Sequence, residues 1–331
     1  MPDYPQIEHI AGALKTSRVT IVLGSGASLD PANDIGKPWR SDLGGMPSAG
    51  QLAGMLSETF GVSQSTLSLT AQLVETWRGT DDLRSQINEI FSRRAQPLVS
   101  HEFCASLADW RLARRRPEDK LPYPLPTRLT CPLFVTTNYD TLLEDAFISR
   151  GIPFDFLTYD VPDQSGDPRL ESFRYDPQVA KDDVARIPFG EVGTEKRVCV
   201  IKIHGSASIR QRDSDPPPFV ITEDDYIAYL ASVRWDDFFP TGIRSHLSRC
   251  HYLFLGHSLT DWNLRVMLQQ ITRKGWRGRT DYKIWVVKKH VEDFERKWAS
   301  SALNSGELIE ANLSDFVPRL EEKVTCRVQI A

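Results

Sequence analysis

The stretch Val19–Leu23 (VTIVL) is β-branched, uncharged, and followed at once by Gly24-Ser25-Gly26-Ala27-Ser28. A strand with no polar face must be covered on both sides, which is the condition of a strand inside a parallel sheet. The pattern returns at Leu133–Thr137 (LFVTT), Val198–Ile203 (VCVIKI), His251–Leu255 (HYLFL) and Lys283–Val287 (KIWVV), with shorter strands near Phe154–Tyr159, Phe219–Ile221 and Glu307–Ile309. Helical spacing fills the intervals, so the fold class is α/β: a Rossmann-like, doubly wound parallel sheet.

The spacing predicts helices at Ser48–Phe60 with Ser48 as N-cap, two over Leu67–Phe91 with a joint at Gly79, and one over Ala95–Arg116 beginning after Pro97. Others fall at Thr141–Ser149, Thr222–Leu230 (with Thr222 and Asp225 as a capping box), Asp236–Cys250, Thr260–Ile271, Phe294–Ala302 and Leu313–Val324. The expected organisation is a single domain over residues 1–331, with a helical insertion at about 60–120 and an irregular one at about 151–197. The second is rich in Asp, Pro and Gly, a composition suited to a lid, a contact surface or a plain surface insertion.

Four strands end in small or reactive residues: GSGAS (24–28), TNYD (137–140), HGS (204–206) and GHS (256–258). A parallel sheet delivers all four tips to one edge, where ligands of such sheets bind. Gly24 and Gly26 let backbone approach a diphosphate, with Ser25, Ala27 and Ser28 completing the loop. The G-x-G-x-x-G fingerprint is absent because Leu29 stands at its last position, which disfavours hydride transfer. Asn138 suits ribose hydroxyls or a water, and Asp140 a carboxamide; the alternative for Asp140 is an Asx turn capping the next helix. His204 leaves a buried strand before a glycine, positioned for acid–base work or for a structural role. Gly256 allows close approach of a ligand and Ser258 can bond ribose or phosphate, while Asp261 caps the following helix.

Composition removes several classes. A net charge of −4 provides no general attraction for nucleic acid, and the basic stretch Arg111–Arg116 reads as a solvated helix end. No direct nucleic-acid binding is expected. The five cysteines (Cys104, Cys131, Cys199, Cys250, Cys326) form no C-x-x-C pair, so no zinc module and no metal are expected. Few cysteines, no apolar leader and no long apolar run predict a cytoplasmic protein without a membrane segment.

With these residues placed, the chain resembles the Sir2 (sirtuin) superfamily, in particular the bacterial Sir2-like domains of anti-phage defence. GSGAS resembles that family's GAGxS cofactor loop, with Ser25 in place of alanine, and Gly45-Met46-Pro47-Ser48 its G-[IL]-P segment. TTNYD (136–140) is similar to T-x-N-x-D, IHGS (203–206) to its catalytic HG, and FLGHSLTDWNLR (254–265) to the defence branch's FxGxSLxDxxxR signature. The family's D-F-R after G-I-P and its four zinc cysteines are missing, which argues against acyl-lysine substrates. The resemblance implies NAD⁺ as substrate, bound by Gly24–Ser28, Asn138, Asp140, Gly256 and Ser258. It implies Asn138 and His204 as catalytic residues of an NAD⁺ glycohydrolase that releases nicotinamide and ADP-ribose, the NAD-depleting effector of an abortive-infection system.

Two alternatives remain open at this stage. One is a zinc-free deacylase or ADP-ribosyltransferase; the other is a sensor that binds NAD⁺ or ADP-ribose without cleaving it. An unrestrained NAD⁺ hydrolase is toxic to its own cell. Control is therefore expected from homo-oligomerisation or a separate subunit, by family analogy a HerA-like ATPase or an Argonaute.

Overall fold

In the computed structural model, residues 4–33, 36–62, 66–93, 95–113, 131–160, 169–179, 183–193, 197–207, 219–232, 239–258, 282–302 and 306–325 are described. A nine-stranded sheet runs through the chain in the order β5-β4-β3-β6-β2-β1-β7-β8-β9. Its strands are β1 (Val19–Leu23), β2 (Leu133–Thr136), β3 (Phe154–Asp160), β4 (Arg169–Tyr175), β5 (Ala185–Arg186), β6 (Val198–Lys202), β7 (His251–Leu255), β8 (Ile284–Lys288) and β9 (Gly306–Glu310). From β3 to β9 every pairing is parallel; β4 and β5 are antiparallel additions at one edge. All five residues of β1 and of β6 are buried, as strands without a polar face require.

Helices cover both faces. On one lie α1 (Gln6–Thr16), α6 (Val99–Ala113), α7 (Leu142–Ser149) and α11 (Leu313–Thr325), packed on β1, β2 and β6 through Ile10, Phe103, Phe147 and Phe316. On the other lie α8 (Glu223–Ser232), α9 (Thr241–Leu247) and α10 (Asp293–Ala302), whose Tyr229, Ile243 and Ala299 meet Val22, Ile201 and Val286. A third apolar cluster joins α3 (Ala49–Phe60), α4 (Leu67–Arg78) and α5 (Thr80–Phe91) to Tyr139 and Phe219. This layer stands beside the strand tips and walls the cleft described below.

Local signals explain the helix ends. Ser48 accepts from Gln51 N while Gln51 Oε1 accepts from Ser48 N, a complete capping box at α3. The Thr222–Asp225 box starts α8 in the same reciprocal way. Gly79, at φ +95°, separates α4 from α5.

Several expectations change. The stretch 151–197 holds the expected strand near Phe154–Tyr159 as β3, but the part expected to be irregular adds β4 and β5, because Leu170, Phe173 and Tyr175 of β4 join the main core clusters. Within the 60–120 stretch, α6 packs against α7 and α11 and contributes to the core. Phe219 makes a single bridge to Gly205 in place of a strand. Helix α1 went unpredicted. The helix expected at Thr260–Ile271, with Asp261, and the ends of Ala95–Arg116 and Asp236–Cys250 lie wholly or partly outside the described residues. Among the described residues no helix is long and apolar enough to cross a membrane.

Candidate active site

The sheet places β1 at its topological switch point: the chain first builds outward on the β2 side and then returns to add β7 on the other. Such a crevice is where open α/β sheets hold ligands. Here the β1 and β7 tips are tied by Gly24 N to Leu255 O and Gly26 N to Gly256 O, each 3.0 Å. Their glycines are explained first by this contact. Gly256 sits at φ +69°, and a Cβ on it would lie 2.4 Å from Ala27 N. A Cβ on Gly24 would lie 2.7 Å from Gly256 O.

The GSGAS segment, expected as a tight glycine turn, is held closely within the protein. Ser25–Ser28 form a single helical turn, α2, and the amides of Gly24, Gly26 and Ala27 bond within the protein. Exposed Ser25 remains as the contact point at the surface.

Two cavities open at this edge and share Ser25, Gly256, His257 and Ser258. One, of about 410 Å³, is lined by Ser28, Asn138, Asp140, His204 and Tyr226 and walled by α3 and α4. The other, of about 490 Å³, runs over Asp30 and Asn33 to the β8 tip at Lys288–His290 and the start of α11 at Asn312–Ser314. The first cavity thus brings together Ser28, Asn138, Asp140 and His204, and the shared border holds Ser25, Gly256 and Ser258. Gly26 and Ala27 line the second cavity, and Gly24 lines neither.

After β2, Thr136 Oγ1 bonds Leu23 O at 3.1 Å and accepts Asn138 N at 3.0 Å, which bends the chain out of the strand. Tyr139 also borders the cavity and packs in the apolar cluster with Phe219, its hydroxyl donating to Val220 O at 2.6 Å. Asn138 and Asp140 line the cavity with it. Asp140 Oδ1 accepts Leu142 N at 3.1 Å, so the Asx-turn role is real and leaves the second carboxylate oxygen to the site.

Asn138 is more constrained. Its amide nitrogen donates to Gly24 O at 3.0 Å and to Ser28 Oγ at 2.9 Å. A carbonyl only accepts, so the amide orientation is fixed and both N–H groups are engaged. Asn138 therefore offers the cavity an acceptor, Oδ1, and no donor.

His204 is buried, with its ring edge-on to Tyr226 and Tyr229 at centroid distances of 5.4 and 6.1 Å. Two further groups escaped sequence reasoning. Wholly buried Lys202 pairs with Glu144 at 3.0 Å and donates to Asp140 O, tying the Asn138 turn to the strand that delivers His204. Burial raises the Glu144 carboxyl while Lys202 pulls it back down. The signal was a lysine inside VCVIKI. The second group, His101 on α6, sits 3.3 Å from Ser28 Oγ, and nothing local in the sequence marks it.

Among the described residues no group of three or more His, Cys, Asp or Glu could hold a metal, and Cys104, Cys131, Cys199 and Cys250 are buried and unbridged. No curated protein matches the chain. A structure from work on the structural basis of sirtuin substrate affinity aligns over 97% of this chain and 99% of its own, at 13% identity and a TM-score of 0.41. The model of the SIR2-like domain matches residues 132–305, from the start of β2 to the edge of β9. That match spans more than half of the 331 residues and includes Asn138, Asp140, His204, Gly256 and Ser258, and the chain belongs to the SIR2-like domain family.

Proposed function

We propose that this protein is an NAD⁺ glycohydrolase. The observation that carries the reading is the convergence of Asn138 Oδ1, Asp140 and His204 on one cavity, beside a second that shares Ser25, Gly256, His257 and Ser258 with it. Two adjacent cavities with a shared border suit a dinucleotide, whose two nucleosides flank a diphosphate. Family membership supports NAD-related chemistry for these residues.

In this reading the nicotinamide riboside half occupies the cavity of Asn138 and His204. The adenosine half lies toward Lys288–His290, and the diphosphate crosses the shared border at Ser25, Gly256 and Ser258. The free Asp140 oxygen accepts from the nicotinamide carboxamide. The bond from nicotinamide nitrogen to ribose C1′ breaks, nicotinamide leaves neutral with the electron pair, and the ribose becomes oxocarbenium-like. Water adds to C1′, and His204 accepts its proton. Asn138 Oδ1 accepts from a ribose hydroxyl or from that water, holding one geometry through the step. The products are nicotinamide, ADP-ribose and a proton.

Release of nicotinamide from NAD⁺ by purified protein, followed by chromatography, tests the reading. His204→Ala should lower the rate roughly 10²–10⁴-fold, the usual worth of a positioned base. Undiminished turnover in His204→Ala overturns the assignment, and acyl-ADP-ribose formed with an acylated peptide favours a deacylase instead. We extend the proposal to the cell: NAD⁺ depletion as an anti-phage response in the cytoplasm, restrained by self-association or by a separate sensor subunit. Infected cultures expressing wild type should lose NAD⁺ and those expressing His204→Ala should keep it.

A further inference from the structure

His101 is the third residue of α6 and wholly buried, 73 positions from the serine it touches. Its Nδ1 accepts the Leu98 amide at 3.0 Å, occupying the place where a Glu or Gln would complete a capping box. A nitrogen that accepts a backbone N–H carries no proton. Burial holds the ring's pKa down to about 4, against the opposing pull of Asp140 and Glu102, so the ring is neutral near pH 7. Its one proton must then sit on Nε2, which faces Ser28 Oγ at 3.3 Å.

Ser28 Oγ consequently accepts twice, from Asn138 at 2.9 Å and from His101. Both lone pairs are engaged. Among the described residues no acceptor is within reach of its hydrogen, although Ser28 is buried and lines the cavity. A ligand supplies the missing acceptor. Asn138 Oδ1 stands beside it as an acceptor without a donor. A donor next to an acceptor matches a hydroxyl, which accepts from one and donates to the other.

We propose that His101 is a positioning residue that locks the Ser28 hydroxyl as a donor to a ribose hydroxyl of the bound ligand, while the same ribose hydroxyl donates to Asn138. The inference rests on the NAD⁺ reading for the identity of the ligand. It assigns His101 no contact with substrate; its effect passes through Ser28.

Two substitutions separate this role from helix capping. His101→Asn places an acceptor where Nδ1 was and keeps the Leu98 bond, but its amide falls short of Ser28. His101→Gln extends a donor to Ser28. ADP-ribose affinity by calorimetry, kcat and KM for nicotinamide release, and the melting temperature are read for each full-length variant. His101→Asn should weaken ADP-ribose binding about tenfold with a near-native melting temperature, the scale of one lost hydrogen bond. His101→Gln should bind within about threefold of wild type, and adding Ser28→Ala to His101→Asn should cost little more, since residues acting through one contact are not additive. Native affinity in His101→Asn, equal losses in both variants, or additive losses with Ser28→Ala overturn the proposal while leaving the NAD⁺ reading intact. A wild-type protein that binds neither NAD⁺ nor ADP-ribose overturns both. Should the variants fail to fold, ¹⁵N spectra of the wild-type imidazole decide: a proton on Nε2 supports the proposal and one on Nδ1 ends it.

Discussion

Lys202, wholly buried in β6, lies 3.0 Å from Glu144 Oε1 and also donates to the Asp140 carbonyl, so one ammonium ties the first turn of α7 to the turn bearing Asn138. Among the described residues Glu144 Oε2 has no hydrogen-bond partner. Removing one member of such a pair leaves a buried charge exposed to low dielectric, at a cost of about 3–5 kcal/mol. Lys202→Met should therefore lower the denaturation midpoint severely. Lys202→Met with Glu144→Leu should recover most of that loss, because two apolar groups need no partner. Chemical denaturation of the three proteins checks this, and a double variant no more stable than Lys202→Met refutes it.

The contact between Gly256 and Ala27 yields a second expectation. Any side chain at position 256 must adopt φ +69° and push against backbone 2.4 Å away, which has no rotamer to yield. The left-handed conformation alone costs an L-residue roughly 1–2 kcal/mol. Gly256→Ala should destabilise the protein by more than that and, since Gly256 belongs to both cavities, abolish ADP-ribose binding. Ala at 256 with an unchanged melting temperature would disprove the close approach.

The strand tips were legible because the strands behind them are buried on both faces and read as unbroken apolar runs. Val19–Leu23 and His251–Leu255 match their observed bounds for that reason. β4 was not legible: charged residues at 169, 171 and 174 interrupt its apolar residues, and the two apolar residues between them, Leu170 and Phe173, feed different core clusters. Gln6–Thr16 was missed although Ile7, Ile10, Ala11 and Leu14 recur at helical spacing. In the site, Asn138, Asp140 and His204 were found because each follows a strand. His101 and Lys202 were not, since their roles arise from elements far apart in sequence meeting at Ser28 and Asp140. Sequence alone could not show that the Gly24 and Gly26 amides are bonded to Leu255 O and Gly256 O across the strand tips.

Asn138 carries a structural load as well as its proposed catalytic one. Its amide satisfies the Gly24 carbonyl and Ser28 Oγ. Asn138→Ala leaves those acceptors without their donor, at about 1–3 kcal/mol for a buried group. Asn138→Asp is worse placed, with a carboxylate facing a carbonyl. Both should lose nicotinamide release by at least about 100-fold, the scale of losing an oriented polar group in an active site. Both should also melt earlier than wild type, Asn138→Asp more so. Calorimetric melting alongside the assay checks it, and Asn138→Asp melting at the wild-type temperature contradicts the amide orientation.

Acid sensitivity should begin above the carboxylate range. Burial holds His101 down to about 4 and His246 to about 3, the latter helped by Arg18 and Arg111. In the unfolded chain both titrate near 6.5. Above that pH neither state binds the proton and stability is unaffected. As pH falls below 6.5 the unfolded chain takes up protons that the native protein refuses, so stability falls, until His101 itself protonates near 4. At pH 5 the loss is roughly 2 kcal/mol for each histidine, from 1.36 kcal/mol per unit over the 1.5 units below 6.5. His101→Gln does not titrate and should remove about half of this decline. Unfolding free energies from pH 7.5 to 5 measure it, and a wild-type profile that is flat across that range means these rings are not held neutral by burial.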